Sequence, residues 1–534
     1  MKLVKSLLLG SAAGICAVAG AQAADLPMRK AAPVEYVRVC TAHGAGFFFI
    51  PGTDTCLRVG GRARFEYQYT WQNSRNSSVS GYRGLGRLNI DARTSTPYGT
   101  LRAFVRLEIA SRTGGYLKSG TQERYGNAFS ATGVDTAGNI QKYVDVDKAF
   151  VQFAGLTAGR AQSMYDFYAH DLELIGASMV SDTNTNLLAY TATFGGGFSA
   201  TISMEDPTYR RAPVFAQAIT GTTGLAAGIA PASQNGVNFL SGATALGFTF
   251  NTAGVGSAVA VDVAQRNNMP DFIGALRYDG AWGSAQVSGA VHEIRTGNVV
   301  QGIAPFAVNG GVAAGTVAGG RLPNSEYGWA IQGGLKLNLP QLAPGDQIWL
   351  QGAYGQGAGQ YTGINSPPGF DTQTGSVTNR FTINQVDAVI QGNGNLNLTE
   401  SWTVAAALLH YWTPEWRQAV FGTYGQQNYD PRLRNGSFGP AGLTGGFGTP
   451  VNAFNTTLMS YEQFYGGSNL IWSPVRDLDI GVEVVYQRIW LPRAVADANK
   501  GGTAAIGGTV VGGTGRVTTF DDNILTRFRI QRDF

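Results

Sequence analysis

Residues 57–72 read LRVGGRARFEYQYTWQ, and this stretch decides the fold because its side chains alternate between two characters. One set is largely apolar: Leu57, Val59, Ala63, Phe65, Tyr67, Tyr69 and Trp71. The other set is charged or polar: Arg58, Arg62, Arg64, Glu66, Gln68 and Gln72. Successive side chains of a strand point to opposite faces, so the pattern predicts a long strand with one apolar and one polar face. A strand of ~10 residues with aromatic ends fits a membrane span better than the ~5–6 residues of a globular strand.

The same alternation recurs along the chain and predicts sixteen strands. They span residues 57–72, 82–94, 100–112, 143–154, 156–162, 187–195, 198–205, 271–279, 283–294, 326–338, 347–356, 381–392, 401–411, 461–472, 478–490 and 522–534. Short connections alternate with long ones, and short turns on one side with long loops on the other are typical of outer-membrane barrels. We therefore predict an all-β fold, a transmembrane antiparallel β-barrel. Residues 207–269 are interpreted as a long loop with a hairpin; two more spanning strands there, giving eighteen, are the alternative.

The beginning of the chain predicts export. Lys2 and Lys5 precede a short apolar run, and Ala21 to Ala23 form a small-x-small cleavage site, which together indicate a secretory signal peptide. Only 14% of the residues are charged, against about 25% in soluble domains, and no later apolar run is long enough for a membrane helix. The predicted parts are a signal peptide at 1–23, an N-terminal periplasmic segment at 24–55 and a barrel domain at 56–534.

Two cysteines lie close together, at Cys40 and Cys56. Disulfides persist outside the cytoplasm, so we expect this pair to form a structural disulfide. In the chain-entropy model, closing a loop of this size contributes ~3 kcal/mol. A zinc site is a weaker interpretation because His43 is the only neighbouring ligand type, and a catalytic thiol would need a free sulfur and a base.

Several stretches resemble the trimeric general porins of alphaproteobacterial outer membranes. They are ADLPMRKAAPVEYVRVC at 24–40, GAGFFFIPGTDTCLRVGG at 44–61, VDKAFVQFAGLTAGRAQSMYDF at 146–167, AWGSAQVSGAVHEI at 281–294 and FDDNILTRFRIQRDF at 520–534. The resemblance implies a homotrimer of sixteen-stranded barrels in the cell outer membrane, each with its third loop folded into the lumen. Small hydrophilic solutes and ions would then cross by passive diffusion.

The resemblance also implies partners. They are outer-membrane lipid, lipopolysaccharide and the barrel-assembly machinery, which would read a C-terminal signal formed by Phe528, Ile530 and Phe534. Arg532 shares the outer face with these residues and departs from the family's apolar pattern. At the periplasmic rim its long side chain can reach water.

A basic sector is predicted on the polar faces of the first three strands and the last. Barrel closure places the last strand beside the first, so these residues form one wall. The arginines are Arg62, Arg64, Arg83, Arg87, Arg93, Arg102, Arg106, Arg112, Arg527 and Arg529. They outnumber the acids Glu66, Asp91 and Glu108 on the same faces, so pairing would leave the wall positive.

The opposing charge is predicted in the third long connection, residues 163–186. It carries Asp166, Asp171, Glu173 and Asp182 and contains neither lysine nor arginine. Its apolar residues would pack it against the inner wall, although an ordinary acidic surface loop is the alternative. Acids facing arginines across a narrow gap create a transverse field that separates ions and orients dipoles. The strongest candidates are Arg62, Arg64, Arg83, Arg102 and Arg106 against Asp171, Glu173 and Asp182.

Other chemistry finds little support in the sequence. The four histidines lack metal-ligand spacing, and the Gly-rich stretch at 501–513 is not followed by the GK[ST] of a phosphate loop. The net charge of +4 is too modest to indicate nucleic acid. We expect a channel without enzyme activity, cofactor or metal. A substrate-selective channel, or an adhesive barrel with an occluded lumen, is the alternative.

Overall fold

A computed structural model describes most of the chain. The described residues are 38–71, 79–113, 141–212, 214–220, 249–252, 256–262, 268–295, 303–304, 325–364, 374–375, 380–381, 383–390, 395–434, 458–497 and 517–534. The predicted signal peptide lies outside these ranges. Among the described residues, no helix is long and apolar enough to cross a bilayer.

Sixteen of the described strands form one closed antiparallel barrel, as predicted. The strands are β1 Cys56–Thr70, β2 Ser80–Thr96, β3 Gly99–Thr113, β4 Gln141–Phe153, β5 Leu156–Gln162, β6 Asn184–Gly195, β7 Phe198–Glu205, β8 Asp271–Gly280, β9 Gly283–Ile294, β10 Glu326–Asn338, β11 Gln347–Gln356, β12 Glu400–Tyr411, β13 Trp416–Asn428, β14 Tyr461–Val475, β15 Leu478–Ala496 and β16 Val517–Asp533. Each pairs with its neighbours in sequence, and β16 pairs with β1 from Arg62–Asp533 to Thr70–Leu525.

In the barrel, the apolar residues of the alternating strands face outward and the polar residues face the interior. On β1, Phe65 is exposed on the outer face, whereas its neighbour Glu66 is completely buried on the inner face. On β16, Phe528 and Ile530 lie on the outer face and Arg529 on the inner face. An outward apolar band with a polar interior is the arrangement that a bilayer selects in a barrel.

The carboxyl-terminal residue completes the ladder. Phe534 donates its N–H to the Gly61 carbonyl at 3.1 Å and accepts from the Gly61 N–H at 2.9 Å. A Cβ on Gly61 would meet the Phe534 ring at 2.5 Å, so the glycine allows this close approach.

Short turns join the strands at one end of the barrel and long connections join them at the other. Between β4 and β5 the turn is only Ala154 and Gly155, both with positive φ. A Cβ on Gly155 would lie 2.7 Å from the Thr191 carbonyl oxygen, so this turn requires glycine.

One predicted strand is wrong. The described residues of 381–392 do not belong to the barrel: among them are the short strands Ile383–Asn384 and Ala388–Ile390, and residues 385–389 are all buried rather than alternating. The barrel strand is instead Trp416–Asn428, which lies between the predicted strands 401–411 and 461–472. Its inner face carries the apolar Ala419 and Phe421, so polarity does not alternate along it as it does in β1.

The interpretation of residues 207–269 as a loop hairpin is confirmed for its described part. Thr249–Thr252 pairs with Gly256–Asp262, which pairs with Val214–Thr220 in a small sheet separate from the barrel. That sheet also contains Ile303–Ala304, Ala388–Ile390 and Leu396–Leu398, and Thr374–Gly375 pairs with Ile383–Asn384 elsewhere. The remaining described helices are the 3₁₀ turns Thr41–His43 and Pro207–Tyr209 and the α-turns Gly359–Thr362 and Pro431–Arg434.

The described residues up to Leu57 form a small unit of their own. Cys40 and Cys56 form the predicted disulfide, with their Cα atoms 5.9 Å apart. Both cysteines are buried with Phe47, and the two-residue strand Phe48–Phe49 pairs back onto Cys56 and Leu57. The disulfide therefore closes a compact hairpin.

We expect replacement of both cysteines by serine to destabilise residues 38–57 by ~3 kcal/mol, because the loop between them is no longer closed in the unfolded chain. Limited proteolysis would detect faster cleavage in this segment. Single-channel conductance should stay at the parent value, because both cysteines lie within this unit. A loss of conductance on mild reduction of the parent protein would contradict the prediction.

Candidate functional site

The connection between β5 and β6, residues 163–183, folds into the barrel, and we call it the inner loop. Polar side chains from eight strands bond to its backbone, which places the loop across the lumen. They are Glu205 of β7, Gln286 and Ser288 of β9, Gln332 of β10, Gln351 of β11, Thr423 of β13, Asn469 of β14, Glu483 of β15, and Arg527 and Arg529 of β16.

The tip of the inner loop is fastened to β15 and β16. Glu483 accepts the Leu174 and Ile175 N–H groups, both at 2.6 Å. The Leu174 carbonyl accepts from Arg527, at 2.8 Å, and from Arg529. These groups are buried and cannot bond to water, so loss of one partner would leave the other with an unsatisfied donor or acceptor, which costs free energy.

Glu173 holds the tip in its fold. Its carboxylate accepts from the Tyr168 hydroxyl at 2.9 Å and from the Ala177 and Ser178 N–H groups at 2.8 and 3.1 Å. Burial, followed by the charge of Glu173, raises the pKa of Tyr168 well above its ordinary value. Tyr168 therefore stays protonated and keeps donating to Glu173.

His170 carries a positive charge into an otherwise acidic loop. Its ring nitrogens lie 3.1 Å from Asp182 Oδ2 and 2.8 Å from the Ser178 carbonyl oxygen. Burial would lower its pKa, but the charges of Glu173 and Asp182 and these two hydrogen bonds raise it to about 9. Burial and the charge of Asp182 also raise the pKa of Asp171.

The two ends of the inner loop are joined through Asp166, which also forms a buried ion pair with Arg210. Asp166 lies 2.7 Å from Arg210 Nη2 and accepts from the Thr183 N–H at 2.7 Å and from the Ser181 hydroxyl. Arg210 comes from the 3₁₀ turn after β7 and also donates to Ser181 at 2.7 Å. Asp166 is thus an anchor at the neck of the loop.

A cavity of about 570 Å³ lies between the inner loop and the opposite wall of the barrel. Its charged lining residues are Arg62, Arg64, Arg87, Arg106, Glu108, Asp147, Lys148, His170, Asp171, Glu173, Asp182, Arg417, Asp479 and Arg529. The predicted acids Asp171, Glu173 and Asp182 are in this set, and Asp166 is not.

Five of the ten arginines predicted for the basic sector line the cavity: Arg62, Arg64, Arg87, Arg106 and Arg529. Of the other five, Arg83, Arg102 and Arg527 point inward but are held by partners away from it. Arg83 binds Glu66, Arg102 Nε lies 2.9 Å from Asp91 Oδ1, and Arg527 binds Gln68 and the inner loop.

Glu66 is the centre of the basic sector. It is completely buried and faces the guanidinium groups of Arg83, Arg529 at 2.7 Å, and Arg64 and Arg527 both at 3.7 Å. One carboxylate against four guanidinium groups leaves this part of the wall positive, even though each arginine has a partner.

Five charged lining residues were not predicted: His170 of the inner loop, and Asp147, Lys148, Arg417 and Asp479 of the wall. Asp147 and Lys148 are consecutive, and both reach the cavity because a β-bulge lies at this point of the β3–β4 pairing. Arg417 and Asp479 form an ion pair at 2.6 Å near the short-turn end of β13 and β15. A pair of adjacent opposite charges within an alternating strand is the sequence signal that would have indicated the bulge.

The charges do not form a metal centre. No group of three or more His, Cys, Asp or Glu side chains in the described part of the chain is placed to hold a metal ion. The site instead consists of charged side chains around a cavity, many of them held by hydrogen bonds or ion pairs.

Comparisons with known proteins agree with this architecture. The family model described as "Porin subfamily" matches residues 25–505. The chain is 31% identical to porin Omp2b of Brucella canis and to that of Brucella abortus, over 64% of this chain and 82% of each relative. Its fold is similar to that of the outer membrane channel DcaP of Acinetobacter baumannii, with a TM-score of 0.50 and 12% identity over 91% of this chain and 99% of that one.

We expect Glu483→Ala to loosen the tip of the inner loop. The change leaves two buried N–H groups without an acceptor, at a cost of ~1–3 kcal/mol each. Hydrogen exchange should quicken at residues 172–176, and single-channel current should become noisier. Glu462→Ala is the matched control, because Glu462 bonds to Tyr424 on the outer face; equal exchange in both variants would argue against the anchor.

We expect the inner loop to titrate near pH 9. The folded-state pKa of His170 lies above its ordinary value of 6.5, so its protonation stabilises the loop fully below pH 6.5, and that contribution is lost as the pH rises through about 9. Loss of the proton also makes the loop more negative, so the reversal potential in a salt gradient should shift toward cation preference between pH 8 and 10, a window of about one unit on each side. His170→Gln should remove this step, and an identical titration in that variant would contradict the assignment.

Proposed function

The chain belongs to the porin subfamily, and we propose that this outer-membrane channel selects among small solutes through a charged constriction between its basic sector and its inner loop. Passive diffusion through a water-filled barrel follows from membership of the family. Such membership also implies a channel rather than a catalyst. The selection mechanism is the part that the geometry of the lumen supports.

One observation carries the proposal: Asp171 on the inner loop and arginines on the barrel wall line the same cavity. Asp171 is exposed there, whereas the carboxylates of Glu173 and Asp182 are engaged within the loop. Arg62, Arg64, Arg87 and Arg106 belong to β1–β3 on the other side of the passage. A solute in the passage therefore experiences opposite charges from two different elements.

Charges held in place act more strongly on a solute than mobile ones. Gln531 accepts from Arg64 at 2.7 and 2.9 Å, and Glu108 and Asn89 accept from Arg87 and Arg106 at 2.6 and 2.9 Å. These bonds fix the guanidinium groups without removing their charge. The field across the passage is consequently preorganised, and it directs anions toward the wall and cations toward the loop.

The channel's partners follow from the same proposal. Family membership supports an oligomer, and we propose a homotrimer whose outer apolar faces contact outer-membrane lipid and lipopolysaccharide. We also propose that Phe528, Ile530 and Phe534 present the recognition edge to the barrel-assembly machinery. Phe528 and Ile530 are exposed on the outer face of β16, and Phe534 is 69% exposed at its end.

We expect Asp171→Asn to shift the reversal potential toward anion preference. The substitution removes one negative charge from the passage and breaks none of the hydrogen bonds described for the loop. Planar bilayers under a salt gradient would measure the shift, which should fade at high salt as the charges are screened.

Asp279→Asn serves as the matched control, because Asp279 is exposed beside Arg277 at a short turn and does not line the cavity. We expect this control to keep the parent's reversal potential. If Asp171→Asn also kept it, the charged constriction would have to be abandoned.

A further inference from the structure

Part of the lumen wall is apolar. The inner faces of β12 to β16 carry aliphatic and aromatic side chains that are at least nine-tenths buried, including Phe421, Tyr461, Tyr465, Val485, Ile489 and Leu525. An apolar wall of this extent is unfavourable in contact with water, so it requires a cover. The inner loop covers part of it through Phe167, Ile175 and Met179, which belong to the same cluster.

Further cover comes from the connection between β11 and β12, whose described residues 357–364, 374–375, 380–381, 383–390 and 395–399 we call the second insert. Its described residues Ile364, Phe381, Ile383, Val386 and Val389 are all at most 6% exposed and belong to the same cluster. This is the segment that includes the wrongly predicted strand. Its apolar residues thus pack inside the barrel instead of facing lipid.

Polar bonds fasten the second insert to strands on several sides of the lumen. The Tyr361 hydroxyl donates to Asp271 of β8 at 2.6 Å, and Thr362 Oγ1 lies 2.8 Å from Ser401 Oγ of β12. The Val386 carbonyl accepts from Gln427 of β13 at 2.8 Å. The insert therefore reaches from β8 to β13 across the interior.

Asp387 joins two parts of the second insert to each other and also joins the insert to the turn after β7. Its carboxylate accepts from the Gly359 N–H at 2.9 Å and from the Ala212 N–H at 3.1 Å. Asp387 is 1% exposed, so both bonds replace solvation that the carboxylate has lost.

The second insert also touches the inner loop directly. Gly363 has a φ of 81°, and a Cβ there would lie 2.5 Å from the Val180 nitrogen and 2.6 Å from its Cα. The Tyr361 ring lies 4.9 Å from the Tyr165 ring and 4.3 Å below the Arg210 guanidinium that clamps the loop's neck. The two segments are in backbone contact at one point and share an anchor at another.

We propose that the second insert is a second constriction element, which covers the apolar part of the lumen wall and holds the inner loop in position. The permeation path is then confined to the cavity between the inner loop and the wall that carries the basic sector. Solute size would be limited by two segments acting together rather than by the inner loop alone. The inference rests on the channel function, and the charge selectivity proposed for Asp171 is a separate question.

The main test measures which parts of the lumen are wet. Ser401→Cys places a thiol under the second insert, and Gln162→Cys places one in the cavity lining. Cys40 and Cys56 are already bonded to each other, so the introduced thiol is the reactive one in the mature chain. With sulfonatoethyl methanethiosulfonate, Ser401→Cys should react at least ~100-fold more slowly than Gln162→Cys, because it reacts only when the structure opens locally.

The functional arm shortens the insert by replacing residues 359–389 with a Gly-Ser linker. We expect conductance to rise about twofold, because the bore of a sixteen-stranded barrel then widens into the uncovered sector. The Ser401→Cys thiol should become as reactive as the Gln162→Cys thiol in this background. Liposome swelling should show entry of larger sugars than the parent admits.

A second variant covers the case in which the shortened barrel does not fold. Gly363→Val forces a Cβ against the Val180 backbone at a positive φ, so it should separate the two segments and raise both conductance and Ser401→Cys labelling. Gly274→Val is the control, because nothing lies within 4 Å of its added Cβ, and it should leave both at the parent values.

Two results would overturn the proposal. One is equal labelling of Ser401→Cys and Gln162→Cys in the intact barrel. The other is parent conductance in a folded, shortened or Gly363→Val variant. The Asp171→Asn variant tests charge selectivity, whereas the proposal for the second insert concerns the width of the path. An unchanged reversal potential in Asp171→Asn would therefore not contradict the proposal for the insert.

Discussion

The structure depends on the closure of its backbone hydrogen-bond ladder. A bilayer offers no water to solvate N–H and C=O groups, so each strand must be paired on both sides. Pairing of β16 with β1, extended by the two bonds between Phe534 and Gly61, removes the last open edge. Closure also brings Arg527 and Arg529 beside Glu66, so the basic sector is complete only in the closed barrel.

Closure fixes the wall, and the interior is then divided by polarity. A charged cavity lies between the inner loop and the wall that carries the basic sector, whereas an apolar cluster on the inner faces of β12 to β16 is covered by the inner loop and the second insert. Asp166 with Arg210, and Asp387 with the Ala212 N–H, link these two segments to the turn after β7. The lumen thus contains a charged cavity beside a packed apolar cluster.

Sequence periodicity was sufficient for strands with one polar face and insufficient elsewhere. It identified β1 to β11 from alternation, but it missed β13, whose inner Ala419 and Phe421 are as apolar as its outer face, and misassigned residues 381–392, of which residues 385–389 are all buried. It also placed Arg83, Arg102 and Arg527 on the correct face, yet their exposure depends on Glu66, Asp91 and Gln68 on other strands. Whether an inward arginine is exposed to the lumen depends on the partner that binds it. The alternation within one strand does not reveal that partner, because the partner lies on another strand.

The anchors of the inner loop have a consequence for the order in which the chain assembles. Leu174 bonds to Arg527, 353 residues later, and Ile175 bonds to Glu483, 308 residues later. Contacts this distant carry a large loop-closure entropy and form late in folding. The tip of the inner loop therefore cannot form these hydrogen bonds until β15 and β16 have joined the sheet. In a barrel that has not yet closed, the inner loop is not fixed in position.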